Sequence, residues 1–331
     1  MKRFLAGAFA LGFVGSAAGL GTASAEETTF AVGGAKPPGV PWQDFTAHVG
    51  QGYYPNFSRA VVDYPGGVFD QLLPPGVPGV GPSVVIGQGN LDSMIREASG
   101  GPNVAVALSE GGLVLDAEQA HLVNDPTAPP RDQLAFTTFG SPVGTHAFGG
   151  SFLSTMFPPG TYLPVIEYTV PGPVESQYDT NRVVAAYDLF ADFPDRPNLV
   201  SFVNSILGAG FYHTPAAFSN PADVPPQNVR ATTNSRGGTT TTYLVPNQHL
   251  PLTLPLSYLG VNPGTIASLD AILKPMVDAG YSRNDNPFTA PTTVSPAGRD
   301  PLELLGQALP EVAQITGLVN QARAALPPAL P

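Results

Sequence analysis

The chain has 331 residues, a formal net charge of −11 and 43% hydrophobic residues. That hydrophobic share is enough to build a core, and the strong negative charge repels phosphate backbones, so we expect no nucleic-acid partner. The sequence has no cysteine, which excludes disulfide bonds, a thiolate nucleophile and zinc–sulfur sites.

The first 25 residues have the pattern of an export signal. Lys2 and Arg3 precede an apolar run over residues 4–20, and the small residues A-S-A at 23–25 fit a signal-peptidase site. We predict cleavage after Ala25, which would change the formal charge from −11 to −13 by removing the two cations. An uncleaved segment would be long enough to tether the protein to a membrane. Either outcome predicts a secreted or envelope-associated protein.

Apolar strand-like runs alternate with helical segments along the rest of the chain. This alternation predicts an α/β fold, with a mainly parallel central sheet flanked by helices, in a single domain over residues 26–298. A helical tail is predicted at 299–331. The predicted strands lie at 27–36, 60–67, 103–108, 133–142, 239–246 and from 181 onward; the predicted helices lie at 91–99, 110–123, 199–207, 265–281 and 301–326.

Sites in such sheets lie at the carboxyl ends of the strands. Chemistry is therefore expected just after Val32, Leu108, Tyr187 and Val245. Two Pro/Gly-rich stretches at 68–90 and 142–180 are either an apolar lid or acyl channel, or ordinary surface loops.

Ser109 is the candidate nucleophile. It follows the apolar run N-V-A-V-A-L and precedes a helical segment, which is the context of the G-x-S-x-G nucleophile turn. The first glycine of that pattern is replaced by Ala107, whereas Gly111 is in place. The alternative interpretation of Ser109 is a small polar residue at the end of a strand.

Two backbone N–H groups are candidates for an oxyanion hole. The turn would present the N–H of Glu110, the residue after the serine. A second donor is expected from the loop after the first strand, around Gly34, because glycine lets the backbone approach a substrate closely. An ordinary strand-ending turn is the alternative there.

The acid and the base have rival candidates. A catalytic histidine needs a carboxylate to fix its tautomer. The segment Y-D-L-F-A-D-F-P-D-R-P supplies Asp188, Asp192 and Asp195, and only His213 and His249 of the five histidines follow it in the chain. The residues alone leave these pairs open.

No phosphate-binding glycine loop, H-E-x-x-H pattern or calcium-loop spacing occurs in the sequence. We therefore expect neither a cofactor nor a metal.

Four segments together resemble the PE-PPE domain family of mycobacteria and their relatives, a family similar to the cutinases. The resemblance covers residues 28–285. The segments are, in chain order, VVDYPGG, YDLFADFPDRPNLVSFVNSILG, FYH and TTTTYLVPNQHLPLTLPLSYLG.

The resemblance implies an α/β-hydrolase fold and a Ser-Asp-His triad with esterase or acyl-transfer activity. Carried over by residue, the serine is Ser109, the D-F-P aspartate is Asp192 and the histidine is His213, with Asp188 and His249 as rivals. The family pentapeptide usually begins with Gly and often has Gln after the serine, and here Ala107 and Glu110 stand at those places.

Two functions from different classes follow from the resemblance. The first is an exported serine esterase or acyltransferase acting on acyl esters, with cell-envelope glycolipids as the expected substrates and possible peripheral contact with the envelope. Stand-alone relatives of this arrangement transfer acyl groups between trehalose glycolipids. The second is a catalytically degenerate hydrolase-fold protein that binds an envelope lipid or a partner protein, a reading favoured by Ala107 and Glu110.

Overall fold

The computed structural model describes residues 27–36, 40–98 and 101–325. The predicted export signal at 1–25 lies outside the described residues. Seven strands form the central sheet, in the spatial order β6-β7-β5-β4-β3-β1-β2. They are β1 (Thr28–Val32), β2 (Ser58–Val61), β3 (Asn103–Leu108), β4 (Leu134–Phe139), β5 (Thr180–Ala185), β6 (Val229–Thr233) and β7 (Thr239–Val245).

All neighbouring strands are parallel except the β6–β7 pair at one edge. The inner strands are apolar and almost wholly buried, as expected of a sheet covered on both faces. The helices are α1 (Trp42–Ala47), α2 (Val80–Glu97), α3 (Gly111–Leu122), α4 (Phe152–Met156), α5 (Leu199–Gly208), α6 (Leu254–Tyr258), α7 (Pro263–Asp278), α8 (Pro301–Leu305) and α9 (Pro310–Ala325).

The sheet divides the core into two apolar layers. One layer packs helices α2 and α3 against one face of the sheet, and the other packs α1 and the segment around Phe218 against the opposite face. Leu304 and Ala308, from the predicted C-terminal tail, lie in the second layer. The fold is the predicted α/β-hydrolase architecture, with helices on both sides of a mainly parallel sheet.

Several elements differ from the sequence prediction, including the short helices α1, α4 and α6, which were not predicted. Two of the differences have a clear cause. Helix α2 begins at Val80, whereas helix was expected only from residue 91, because two glycines and a proline in its first half conceal the periodicity. Strand β6 was not predicted, because V-R-A-T-T mixes polar with apolar residues and its last three residues are exposed at the sheet edge. The stretch 142–180 contains α4 and two short hairpins, which pair Thr145–His146 with Gly149–Gly150 and Tyr162–Leu163 with Tyr168–Thr169.

The described residues contain no helix with both the length and the apolar content needed to span a membrane.

Candidate active site

Ser109 occupies a strained turn at the carboxyl end of β3. Its φ angle is +53°, in the left-handed region that residues other than glycine rarely adopt, and such a conformation costs about 1–3 kcal/mol. The turn is held by a 2.8 Å hydrogen bond that the Ser109 N–H donates to the carbonyl oxygen of Phe139. Helix α3 begins two residues later at Gly111. This strand–turn–helix arrangement is that of a nucleophile elbow, as the sequence predicted.

Glycines allow the elbow to pack directly against the loop that follows β1. A Cβ atom at Gly111 would lie 2.4 Å from the carbonyl oxygen of Gly33, closer than real Cβ contacts permit. A Cβ atom at Gly34 would lie 3.0 Å from the Cβ of Ser109. The predicted oxyanion loop therefore lies beside the candidate nucleophile.

His213 and Asp188 form a buried hydrogen-bonded pair. The Nδ1 of His213 lies 2.7 Å from Oδ2 of Asp188, and Asp188 is fully buried. The carboxylate of Asp188 also accepts hydrogen bonds from the N–H groups of Phe190 and Ala191, which fix its orientation. Since Nδ1 donates to the carboxylate, the lone pair of the neutral imidazole is on Nε2.

The Nε2 atom of His213 is buried and has no hydrogen-bond partner among the described residues. Its ring packs against Gly140, where a Cβ atom would lie 2.7 Å from Cε1 of the ring. Gly140 follows Phe139, the residue whose carbonyl holds the Ser109 turn. The imidazole and the serine turn thus contact the same short segment at the end of β4.

Asp192 does not contact His213, so the preference for Asp192 over Asp188 as the partner of His213 is wrong. Asp192 is fully buried in an ion pair with Arg283 and accepts a 2.6 Å hydrogen bond from the N–H of Tyr187. Tyr187 has a φ angle of +62°, and this turn directs the next residue, Asp188, toward His213. Asp192 and Arg283 therefore hold the loop that presents the acid.

The rival histidine belongs to a separate pair. The Nδ1 of His249 lies 2.7 Å from Oδ2 of Asp270, on helix α7. Asp270 also accepts hydrogen bonds from the N–H of Leu250 and the hydroxyl of Thr253. This pair ties the loop after β7 to α7 and contains neither Asp188 nor Asp192.

Tyr64 orients the loop of the predicted oxyanion hole. Its buried hydroxyl donates to the carbonyl oxygens of Gly33 and Gly34, at 2.8 and 2.9 Å. Because N–H and C=O point in opposite directions across a trans peptide, the N–H groups of Gly34 and Ala35 point away from Tyr64. Sequence reasoning did not single out this residue, although it lies in the V-V-D-Y-P-G-G segment.

Three backbone N–H groups near Ser109 are unpaired. Within the described part of the chain, no hydrogen bond uses the N–H of Gly34, Ala35 or Glu110. The Glu110 N–H also lies at the start of α3, where helix N–H groups lack intrahelical acceptors. Backbone donors in this setting can stabilise a negatively charged oxygen.

The Glu110 side chain is buried beside these donors. Burial raises the pKa of its carboxyl to about 8, and the nearby Lys36 acts in the opposite direction. The carboxyl is therefore mostly neutral at pH 7.

No group of three His, Asp or Glu residues in the described ranges is arranged to hold a metal ion. A surface cavity of about 350 Å³ lies at the opposite, amino edge of the sheet, lined by Arg96, Asn103 and Leu134 among others. It contains none of the candidate site residues.

Comparison with known proteins agrees with the resemblance seen in the sequence. The family model described as the PE-PPE domain matches residues 55–282. "Diacyltrehalose acyltransferase Chp2" of Mycobacterium tuberculosis is 50% identical to this chain over 92% of the chain and 95% of the relative. "SL1278 acyltransferase Chp1" of the same organism is 42% identical, over 88% of the chain and 73% of the relative.

A third relative from Mycobacterium tuberculosis, "Esterase PE16", is 32% identical over 66% of this chain and 42% of its own length. The family match spans more than half of the chain and includes the second strand, the serine turn and both Asp–His pairs. The chain belongs to the PE-PPE domain family.

Proposed function

We propose that the chain is an exported enzyme that transfers or hydrolyses acyl groups of cell-envelope glycolipids through a covalent acyl-Ser109 intermediate. One observation carries this proposal: His213 is oriented by Asp188, its other nitrogen has no partner among the described residues, and its ring packs on Gly140, next to the residue whose carbonyl holds the Ser109 turn. The names of the relatives support the enzyme class, since two are acyltransferases and one is an esterase.

The geometry suggests the course of the first half-reaction. Ser109 Oγ attacks the ester carbonyl carbon while His213 Nε2 takes its proton, and Asp188 stabilises the imidazolium that forms. The carbonyl oxygen becomes an oxyanion, which accepts hydrogen bonds from the N–H of Glu110 and from the loop at Gly34. The C–O bond to the alcohol then breaks, and His213 returns the proton to the leaving alkoxide.

The second half-reaction distinguishes a transferase from a hydrolase. His213 takes a proton from an acceptor hydroxyl or from water, and that oxygen attacks the acyl carbon. The bond between the acyl carbon and Ser109 Oγ then breaks, and His213 returns the proton to Oγ. The names of the two acyltransferase relatives favour transfer, and the diacyltrehalose in one of them suggests a sugar hydroxyl on a trehalose lipid as acceptor.

An apolar surface adjoins the proposed site and suits acyl chains. Helix α5 exposes an apolar stripe at i, i+3, i+4 and i+7, and its carboxyl end leads directly into the turn that carries His213. The segment from 197 to 222 contains no Asp, Glu, Lys or Arg. We propose that this face contacts lipid at the envelope. The stripe consists of Leu199, Phe202, Val203 and Ile206.

A row of aromatic rings extends the apolar surface from α5 to α4. Phe202 contacts Phe193, Phe193 contacts Phe152, and Phe152 contacts Phe157. The row lies next to the loop of Asp188, since the N–H of Phe152 donates to the carbonyl of Phe190. These contacts support an acyl-binding role for part of the 142–180 stretch.

The test combines an acyl ester donor with trehalose as acceptor and measures acyl-trehalose and free fatty acid by mass spectrometry. We expect acyl-trehalose from the wild type and neither product from Ser109→Ala. Ile206→Glu should lower the rate with long-chain donors about tenfold relative to short-chain donors, whereas Val85→Glu, a matched exposed residue on α2, should not.

Product formation by a folded Ser109→Ala protein would contradict the proposal. A folded wild type that binds a trehalose glycolipid but forms no product would instead favour the alternative function, a catalytically degenerate protein that binds envelope lipid.

A further inference from the structure

The carboxyl group of Glu110 is buried without a partner, directly after the candidate nucleophile. Glu110 is 5% exposed, and neither carboxyl oxygen has a hydrogen-bond partner among the described residues. A buried carboxylate ion that lacks hydrogen bonds is costly, so such a group stays neutral unless a cation compensates it. Its location beside the oxyanion donors makes its charge state relevant to the reaction.

Two elements packed around Glu110 bring titratable groups toward it. Lys36, from the loop after β1, favours ionisation of the carboxyl, but its ammonium group is also shared with Asp63 and with the carbonyl of Tyr64. Tyr64, from the loop after β2, is fully buried, and the negative charge of Glu110 would raise its pKa further. Lys36 is therefore the one cation facing Glu110 within the described ranges, and it is partly neutralised.

The neighbouring helices add no counter-charge. Helix α2 packs on Tyr64 through Gly87, and its charged residues lie in its last two turns, where Arg96 bonds to Asp92 and Asp125. On α3, which Glu110 precedes, the acidic groups are engaged elsewhere. Asp116 pairs with Arg182, and Glu118 accepts a hydrogen bond from Gln88.

We propose that Glu110 is a positioning residue that must be a neutral acid for the oxyanion hole to work, and that its ionisation switches the reaction off. The inference rests on the proposed acyl-enzyme function and deepens it. The backbone N–H of Glu110 is a proposed donor to the oxyanion, so an ionised side chain on the same residue places a negative charge next to the one that develops in the transition state.

Ionisation also affects the second donor loop. Tyr64 holds the carbonyl oxygens of Gly33 and Gly34, and a carboxylate attracts a hydroxyl proton more strongly than a carbonyl oxygen does. A charged Glu110 would therefore draw the Tyr64 hydroxyl away from the loop and loosen the N–H groups that it orients. Burial raises the pKa of Glu110 to about 8, which places this switch just above neutral pH.

The experiment measures kcat/KM for a soluble p-nitrophenyl ester between pH 6.5 and 9.5. For the wild type we expect the value at pH 9 to be about tenfold below its plateau, because each pH unit above a pKa reduces the neutral fraction about tenfold. Glu110→Gln has the same shape without ionisation, so its ratio of rates at pH 9 and pH 6.5 should stay near one. Lys36→Met removes the facing cation and should move the alkaline limb to higher pH.

An alkaline limb in Glu110→Gln equal to that of the wild type would overturn the proposal, as would a wild type with no such limb. Tyr64→Phe provides a second variant. It should lower kcat with little change in KM, since it removes the hydroxyl that orients the loop and touches no substrate. An unchanged kcat would contradict the role given to that hydroxyl.

A stability measurement separates this inference from the proposed function. The folded-state pKa of Glu110 lies above the unfolded value of about 4.3, so the stability that its neutral form contributes is complete below that value and is lost as the pH rises to about 8. The gain in urea midpoint of Glu110→Gln over wild type should therefore grow from pH 5 to pH 8 and then level off. A gain in urea midpoint that does not depend on pH would contradict a neutral Glu110 carboxyl in the folded protein. A wild type that shows the expected stability trend but is inactive at every pH would contradict only the enzyme function.

Discussion

Two Asp–His pairs in this protein have the same geometry and different surroundings. His213 and His249 each place Nδ1 at 2.7 Å from an aspartate oxygen. The side chain of His213 is 7% exposed, its ring packs on Gly140, and its buried Nε2 has no partner within the described part of the chain. The side chain of His249 is 17% exposed, and its aspartate is bound to the loop after β7. A short Asp–His hydrogen bond therefore does not identify a catalytic pair.

The two pairs follow strands that lie at different distances from the serine strand in the sheet. Asp188 follows β5, which neighbours β4, and β4 neighbours the serine strand β3. The second pair follows β7, one strand further from β3, and its acid comes from α7. In a parallel sheet the carboxyl ends of adjacent strands meet at one edge, so we expect the pair on the nearer strand to share a site with Ser109.

Removing each histidine should give the largest difference between the pairs. We expect His213→Ala to lower kcat/KM by about 10⁴-fold or more, because it removes the base proposed to take the serine proton. His249→Ala should change kcat/KM only a few-fold, since it removes a tie between a loop and a helix. Steady-state kinetics on a soluble ester check both. Comparable losses of kcat/KM in the folded His213→Ala and His249→Ala proteins would show that the two pairs do not differ in function.

Substituting Asp188 should lower kcat, whereas substituting Asp192 should lower the free energy of unfolding. Asp188→Asn should lower kcat by about 10³–10⁴-fold, because the amide favours the wrong histidine tautomer. Asp192→Asn leaves Arg283 buried without its counter-ion and should cost about 3–5 kcal/mol of unfolding free energy.

Thermal unfolding measures the loss of stability, and kinetics well below the transition temperature measure the loss of kcat, so together they distinguish the two effects. An Asp192→Asn protein with wild-type stability and a kcat as low as that of Asp188→Asn would return the acid role to Asp192.

Gly140→Ala should lower kcat less than His213→Ala and Asp188→Asn do. Gly140 has a φ angle of +68°, and an added methyl group would lie 2.7 Å from the ring of His213. The displaced imidazole should cost roughly 10–100-fold in kcat, as small misplacements of catalytic groups do. Gly237→Ala, at a φ of +85° far from the histidines, is the matched control for strain and should keep full kcat. Equal kcat values for the two variants would contradict the position given to His213.

Local patterns in the sequence predicted the serine side of the site. An apolar strand, a serine and two glycines specify a tight strand–helix turn, and the structure places Gly34 against Ser109 and Glu110 directly after it, while their catalytic roles stay a prediction. Gly111 is the second glycine of the G-x-S-x-G pattern, and its close contact with Gly33 explains why glycine is needed there. These features depend on neighbours in sequence or on the order of parallel strands.

The acid side could not be predicted in the same way. Asp188 and Asp192 lie four residues apart in one loop, and the loop conformation decides which of them meets His213. That conformation depends on the positive φ of Tyr187 and on Arg283, which pairs with Asp192 from 91 positions later in the chain. Nothing in the pattern around the aspartates indicates this distant arginine.

The most direct test of an activated Ser109 is fluorophosphonate labelling of the purified protein, with Ser109→Ala and His213→Ala alongside. We expect one adduct by intact mass, located on Ser109, absent from Ser109→Ala and formed far more slowly in His213→Ala. A folded wild type that remains unlabelled, or a Ser109→Ala protein that is labelled as fast as the wild type, would contradict an activated serine at this turn.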